Sequence, residues 1–279
     1  MNSESSSGSG SEPLRQRTML ESVADLREQI HRPPTLKEKS GRAPSPTAST
    51  DATGFRPLQR PPMALLCVFD DGDEHGELIR IRKADFVIGR TEGDLLVPHD
   101  ALVSGRHAEI SRRAESGLAV WYLKDLGSTN GTFVRVTTAL LQPDQVLLLG
   151  GKRYQFVGRG PAAEDNNSPG TRIWQQLPEE DLAQLHPALA EVIPGGTGCR
   201  YPLTSKQNWI GRDSTRCSVV LEDPMVSPKH ARIYVDGRGR WCIQNVKSVN
   251  GVWAQISEVP LGNGGYFQCG EQRFAFRVL

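Results

Sequence analysis

From residue 63 onward, apolar positions come in short runs, many alternating with polar ones, and each run is cut by Gly, Pro, Asp or Asn. MALLCVF, ELIRIR, DFVIG, DLLVP, HAEISRR, LAVWYLKDL, GTFVRV, QVLLLG and KRYQFVG give nine candidate strands within about a hundred residues, the spacing of a sandwich or barrel. Residues 1–60 differ. Ser, Pro, Thr and charge dominate there, and tracts such as GRAPSPTASTDATG carry too little apolar surface to offset chain entropy, so a disordered tail is expected. Within it Met19, Leu20, Val23, Leu26 and Ile30 share one helical face, with Thr18 as N-cap three residues before Glu21, which predicts a short helix over 18–31. So short a helix is marginal in water and is read as transient rather than as a docking segment. Residues 159–198 read as linker, with a helix over 178–193 in PEEDLAQLHPALAEVI.

After the linker the strand pattern returns, and it returns as a repeat. The first segment runs IGR (88–90), VSGRHAEI (103–110), WYLKDLGSTNGTFV (121–134) and QVLLLGGKRYQFV; the second runs IGR (210–212), VSPKHARI (226–233), WCIQNVKSVNGVWA (241–254) and YFQCGEQRFAFRVL. Gly-Arg, Ser-x-x-His and Asn-Gly recur in one order at nearly one spacing, and each copy is the size of a whole domain. The boundaries predicted are 63–158 and 199–279. The fold class is all-β, two antiparallel sandwiches with a tail and a partly helical linker.

Composition agrees, since Gly (28) and Pro (19) imply many turns. Lys plus Arg (33) nearly balance Asp plus Glu (32), so no global field favours nucleic acid or an anionic membrane, and any anion must be caught locally. The longest apolar stretches fall short of the roughly 18 residues of a membrane helix, and MNSESSSGSGSEP lacks the start of a secretory signal. A cytoplasmic location is expected. Cys67, Cys199, Cys217, Cys242 and Cys269 are odd in number and show no Cys-x-x-Cys spacing, so disulfides and metal sites are not expected and the thiols read as buried apolar groups.

The recurring residues suggest anion binding. Arg90 and Arg212 each follow a Gly at a strand end, where a guanidinium offers a fork of donors to carboxylate or phosphate oxygens. Ser104 begins a tight connection, and the Gly105 amide is open to close approach because no Cβ intervenes. A Ser104–His107 nucleophile and base is the catalytic alternative, but no Gly-x-Ser-x-Gly elbow accompanies them, and an enzyme is not expected. His107 reads as a buried brace for the loop. Asn130–Gly131, between KDL and TFV, is a strong signal for a tight hairpin turn, and the Asn130 amide could also pair with an extended peptide.

Gly-Arg, Ser-x-x-His and Ser-Thr-Asn-Gly-Thr together resemble the forkhead-associated (FHA) domain, a phosphomotif reader. The resemblance covers residues 64–158 and, less strongly, about 199–279. It implies FHA/SMAD-like sandwiches of about eleven strands each, with phosphothreonine peptides bound by loops at one end. It also implies that Arg90 and Ser104 hold the phosphate with Gly105 and Thr129, that Arg106 contacts phosphate or peptide, and that Asn130 clamps the peptide backbone. Gly89, His107, Gly131, Gly211, His230 and Gly251 would be structural. In the second copy Arg212, Ser227, Lys229 and Asn250 remain, but Pro228 deletes the amide that Gly105 offers and Val249 replaces Thr129. That copy is expected to bind more weakly or without phosphate. The implied partners are phosphothreonine-containing proteins, such as a Ser/Thr kinase or its substrates, with no cofactor. The alternative is a scaffold that binds regardless of phosphorylation. Thr47, Thr50 and Thr53 precede the first copy closely enough that a phosphorylated tail could fold back onto it.

Overall fold

The computed structural model describes Met19–Leu20 and residues 63–69, 76–158 and 186–279. Every regular element among these residues is a strand. After β1 (Met19–Leu20), the first repeat forms β2 (Ala64–Phe69), β3 (Glu77–Ile81), β4 (Asp85–Gly89), β5 (Leu95–Leu96), β6 (Ala108–Glu115), β7 (Leu118–Asp125), β8 (Thr132–Leu140), β9 (Val146–Leu149) and β10 (Lys152–Val157). These last nine lie where the apolar runs predict them. The second repeat forms β11 (Ala188–Ile193), β12 (Gly196–Pro202), β13 (Gln207–Gly211), β14 (Val219–Val220), β15 (Ala231–Val235), β16 (Trp241–Asn245), β17 (Val252–Ile256), β18 (Glu258–Pro260), β19 (Gly265–Cys269) and β20 (Gln272–Val278).

Two helix expectations are corrected where the structure describes them. Met19–Leu20 is a short strand paired with β8, opposite Thr138 and Val136, not the start of a helix. The rest of 18–31, the remaining tail with Thr47, Thr50 and Thr53, and the linker residues 159–185 lie outside the described residues. Residues 188–193 are β11 rather than the end of a helix. They lie between β10 and β12, and both neighbours take up their backbone hydrogen bonds, which outweighs a local helical pattern. Asn130–Gly131 is likewise not a hairpin turn: β7 and β8 do not pair, and this turn carries the chain from one sheet to the other.

The sequence assigns each sandwich to one repeat, but the sheets exchange segments. β2 pairs with β3 and with β20 of the second repeat, β20 with β19, and β19 with the start of β8. Opposite this layer stands the sheet β18-β7-β6-β4-β5, in which β18 again comes from the second repeat. The other sandwich is the mirror arrangement in chain terms. The β12–β11 hairpin joins the β10–β9 hairpin of the first repeat through the β11–β10 pair, while β14, β13, β15 and β16 form a run whose β16 pairs with Thr138–Leu140 of β8. β8 and β17 run antiparallel where the segments cross, and Val134 faces Ala254, each four residues after its Asn. A pseudo-twofold axis therefore passes between them.

The core follows the exchange. Trp121 of β7 meets Phe276 of β20 edge-on at 5.6 Å, and Trp241 of β16 meets Phe156 of β10 at 6.2 Å, so the corresponding ring pair in each sandwich joins the two repeats. Phe267, Phe274 and Phe276 are fully buried, and at about 1.5–3 kcal/mol per ring they contribute on the scale of a domain's whole net stability. Polar anchors repeat the pattern. Asp100 accepts hydrogen bonds from the Glu271 and Gln272 amides at 2.7 and 3.3 Å, and Asp223 accepts one from Gly151 at 2.8 Å. Each carboxylate thus caps the hairpin turn of the other repeat. Gly150 and Gly270 sit at φ of 65° and 62° with these carboxylates where a Cβ would be, so no other residue fits there.

Candidate functional site

The loops that carry the recurring residues converge at one end of the first sandwich. Arg90 donates its amide to Ser104 O at 2.9 Å, while Thr91 and Glu92 donate to Gly105 O, so the β4 exit and the loop before β6 are laced together. Gly89 is required by that closeness: a Cβ there would lie 2.2 Å from Gly105 O. The Arg90 guanidinium turns to the same rim and donates to Ala101 O at 3.3 Å. Ser104 Oγ accepts the Thr129 amide at 3.0 Å, which leaves the hydroxyl proton for another acceptor. Asn130 Nδ2 donates to Leu102 O at 2.9 Å. Arg90, Ser104, Thr129 and Asn130 therefore share one rim, with Gly105 and Arg106 on its connecting loop.

His107 is fully buried and braces the rim from beneath. Its Nδ1 accepts the Ser104 amide at 3.0 Å, so the proton lies on Nε2, which donates to Gly131 O at 3.2 Å. The ring contacts the backbone of Ser104, not its hydroxyl, so no nucleophile and base pair is formed. Burial holds the His107 pKa below the usual imidazole value, against the raising effect of the Gly131 bond and nearby carboxylates.

Sequence reasoning missed the group that shapes the Ser-Thr-Asn-Gly loop. Asp125 accepts from the amides of Gly127 and Ser128 and from the hydroxyls of Ser128 and Thr132, at 2.6–2.8 Å. Burial raises its pKa, but the hydroxyl and amide bonds together outweigh burial and hold it below the usual carboxylate value. An Asp two residues ahead of a Gly is an Asx-turn signal that could have pointed to it. Asp100 was also missed, since its partners lie in the other repeat.

Among the described residues, neither Arg90 nor Arg106 has a carboxylate within ion-pair distance. No described acceptor takes the amides of Gly105 and Arg106.

The second repeat reproduces the frame with altered chemistry. Arg212 donates its amide to Ser227 O, Ser227 Oγ accepts the Val249 amide, and Asn250 Nδ2 donates to Met225 O at 2.7 Å. His230 bridges the Ser227 amide and Gly251 O, as His107 does in the first, and burial lowers its pKa likewise. Gly211 is as constrained as Gly89, with Pro228 O 2.2 Å from a built Cβ. Lys229, however, places its ammonium 3.4 Å from the Trp209 ring centroid, and Val249 is 84% exposed where Thr129 offers a hydroxyl. Asn245 stands in place of Asp125 and bonds the amide and hydroxyl of Ser248. Of the cysteines, Cys217, Cys242 and Cys269 are buried and Cys67 is half-buried, but Cys199 is exposed on β12, contrary to expectation, because among the described residues that strand pairs on one side only, with β11.

The sequence model of the FHA domain matches residues 86–150 and 208–270. FHA domain-containing protein FhaB of Mycobacterium tuberculosis is 39% identical over 88 residues, covering 30% of this chain and 54% of that protein. The chain thus spans about half the length of the curated relatives it matches. Among solved structures, Mycobacterium tuberculosis EmbR in complex with a low affinity phosphopeptide shows 30% identity, covering 29% of this chain and 22% of that one, with a TM-score of 0.18. Full-length yeast Pml1p shows 24% identity over 30% of this chain and 65% of that one, with a TM-score of 0.26. Each of the two repeats thus carries a match to the FHA domain.

Proposed function

We propose that the chain is a non-enzymatic cytoplasmic adaptor that binds phosphothreonine-containing proteins, such as a Ser/Thr kinase or its substrates, through the first repeat. The observation that carries this reading is a rim that holds the Arg90 guanidinium, the Ser104 hydroxyl and the unbonded amides of Gly105 and Arg106, with no described carboxylate within ion-pair distance of Arg90 or Arg106. A phosphothreonine brings about −1.5 to −2 charges at neutral pH, so it fits this donor set far better than a threonine does. Charge-assisted hydrogen bonds contribute about 1.5–3 kcal/mol each, so two or three of them separate binding from near absence of binding. Arg90 and Ser104 would hold the phosphate with Gly105 and Thr129, Arg106 would contact phosphate or peptide, and Asn130 would clamp the peptide backbone.

The second repeat is a weaker or phosphate-independent interaction module in this reading. Pro228 offers no amide, Val249 no hydroxyl, and the Lys229 ammonium rests on Trp209. Arg212, Ser227 and Asn250 remain on its rim.

The test is a phosphothreonine peptide library against the full chain, with Arg90→Ala and Arg212→Ala as controls. Wild type and Arg212→Ala should bind the phosphorylated pool, and Arg90→Ala should lose at least about tenfold in affinity, the size of one such bond. Equal binding by wild type and Arg90→Ala, or equal capture of the unphosphorylated pool, would overturn the proposal in favour of a phosphorylation-independent scaffold.

A further inference from the structure

The segment exchange brings a side chain to the first rim that the first sandwich alone would not hold. Arg153 lies on β10, a strand of the second sandwich, yet Nη1 and Nη2 both donate to Asn130 Oδ1 at 3.3 Å. We propose that Arg153 is a specificity-determining residue that reads an acidic side chain flanking the phosphothreonine. This rests on the proposed phosphothreonine reading of the first repeat.

Three features support it. The bonds to Asn130 are long for a guanidinium, whose ionic partners sit at about 2.7–2.9 Å, and their acceptor is one neutral amide oxygen. A carboxylate would match both N–H groups in parallel, and among the described residues Arg153 has no carboxylate within ion-pair distance. Second, the guanidinium is oriented in advance. It lies 5.9 Å from the Phe133 ring centroid, and Phe133, Leu148 and Trp253 form a separate buried cluster on the crossing strands. A half-buried cation held on such a platform gives up little rotamer freedom on binding. Third, the second repeat keeps a cation over a ring at the corresponding place, with Arg273 5.4 Å from the Trp253 centroid, but the hydrogen-bonding groups around it differ. Arg273 donates Nε to Gln268 Oε1 at 3.2 Å, and Trp253 donates its indole N–H to Asn250 O at 2.8 Å. Asn130 joins the two halves of the first site, because its Nδ2 holds Leu102 on the rim loop while its Oδ1 faces the cation.

The experiment uses the full chain and a series of fluorescent phosphothreonine peptides with alanine at every flanking position, into which one Asp is moved position by position. Binding is read by anisotropy as the affinity ratio of each Asp peptide to the all-alanine phosphopeptide. In wild type one position should give a gain of about tenfold, as expected for one charge-assisted pair. In Arg153→Gln that ratio should fall to near one, and in Arg153→Glu the preference should pass to a Lys at the same position. A wild type that binds the all-alanine phosphopeptide but gains from Asp nowhere would overturn the proposal. So would an Arg153→Gln variant that keeps the gain. If wild type binds no phosphopeptide at all, the phosphothreonine reading falls as well, and the all-alanine peptide tells the two failures apart.

Discussion

Segment exchange can be tested with the protein's own cysteine. Cys67 on β2 lies directly opposite Ala275 on β20, so Ala275→Cys puts two thiols on facing positions of antiparallel strands. Facing residues in such a pair have Cα atoms about 4.5–5.5 Å apart, inside the range a disulfide spans. If each repeat instead closed on its own hairpin, the residue facing Cys67 would be Gln155, which holds the same place in the first repeat as Ala275 in the second. In the exchanged fold Gln155 lies opposite Ala190 on β11, in the other sandwich. The pair Ala275→Cys and Gln155→Cys, each with Cys199→Ser to silence the exposed thiol, therefore reports which strand closes the first sandwich. Mild oxidation followed by protease digestion and mass spectrometry should find Cys67 crosslinked in monomeric Ala275→Cys protein and no such crosslink in Gln155→Cys. The new bond would close a loop of about 200 residues, and the chain-entropy estimate for such a loop is about 5 kcal/mol. As about 1 kcal/mol raises Tm by roughly 2–4 °C at this size, oxidised Ala275→Cys should melt on the order of 10–20 °C above its reduced form as an upper bound. A crosslink to Cys67 in the Gln155→Cys variant, with none in Ala275→Cys, would refute the exchange, and with it the route that brings Arg153 to Asn130.

Two further expectations follow from the rim. Asp125→Ala removes four hydrogen bonds to a carboxylate and should cost about 2–4 kcal/mol in urea unfolding, whereas Asp125→Asn should cost less, because Asn245 already holds Ser248 at the same place in the second repeat. Equal losses for the two variants would argue against this account. His107 and His230 have folded-state pKa values below the ordinary 6.5, so the unfolded chain binds protons first. Their contribution to stability is complete above about pH 6.5 and declines as pH falls through that value, until the folded-state values are passed. Asp125 is lowered too, so its contribution is intact above 3.8 and is lost only at still lower pH. The urea midpoint should therefore fall between about pH 7.5 and about pH 5.5, and an unchanged midpoint would contradict neutral, buried imidazoles.

Strand positions were largely legible because they depend on local alternation. The nine runs from Ala64 to Val157 became nine strands, and the repeat marked the second set of loops. The rim residues were legible as a pattern, since Arg90, Ser104 and Asn130 recur as Arg212, Ser227 and Asn250. Residues acting through distant partners were not. Asp100 pairs with Glu271 and Gln272, and Arg153 with Asn130, and no local rule links those positions. Residues 188–193 look helical in isolation and become a strand because β10 and β12 offer a ladder on both sides.

Local chemistry, then, is enough to say that this chain makes two sets of β-strands, with Gly-Arg, Ser-x-x-His and Asn-Gly at their loop ends. It could not say which hairpin closes which sandwich. VLLLGGKRYQFV and YFQCGEQRFAFRV carry equivalent apolar alternation, so either would satisfy either open half. Only the three-dimensional fold makes the choice, by running β8 straight through Val134 into the second sandwich and β17 past it in the opposite direction. The physical reason is that alternation specifies which face of a strand is buried, while the identity of its neighbour is a long-range contact whose energy is counted only when the whole sheet is assembled.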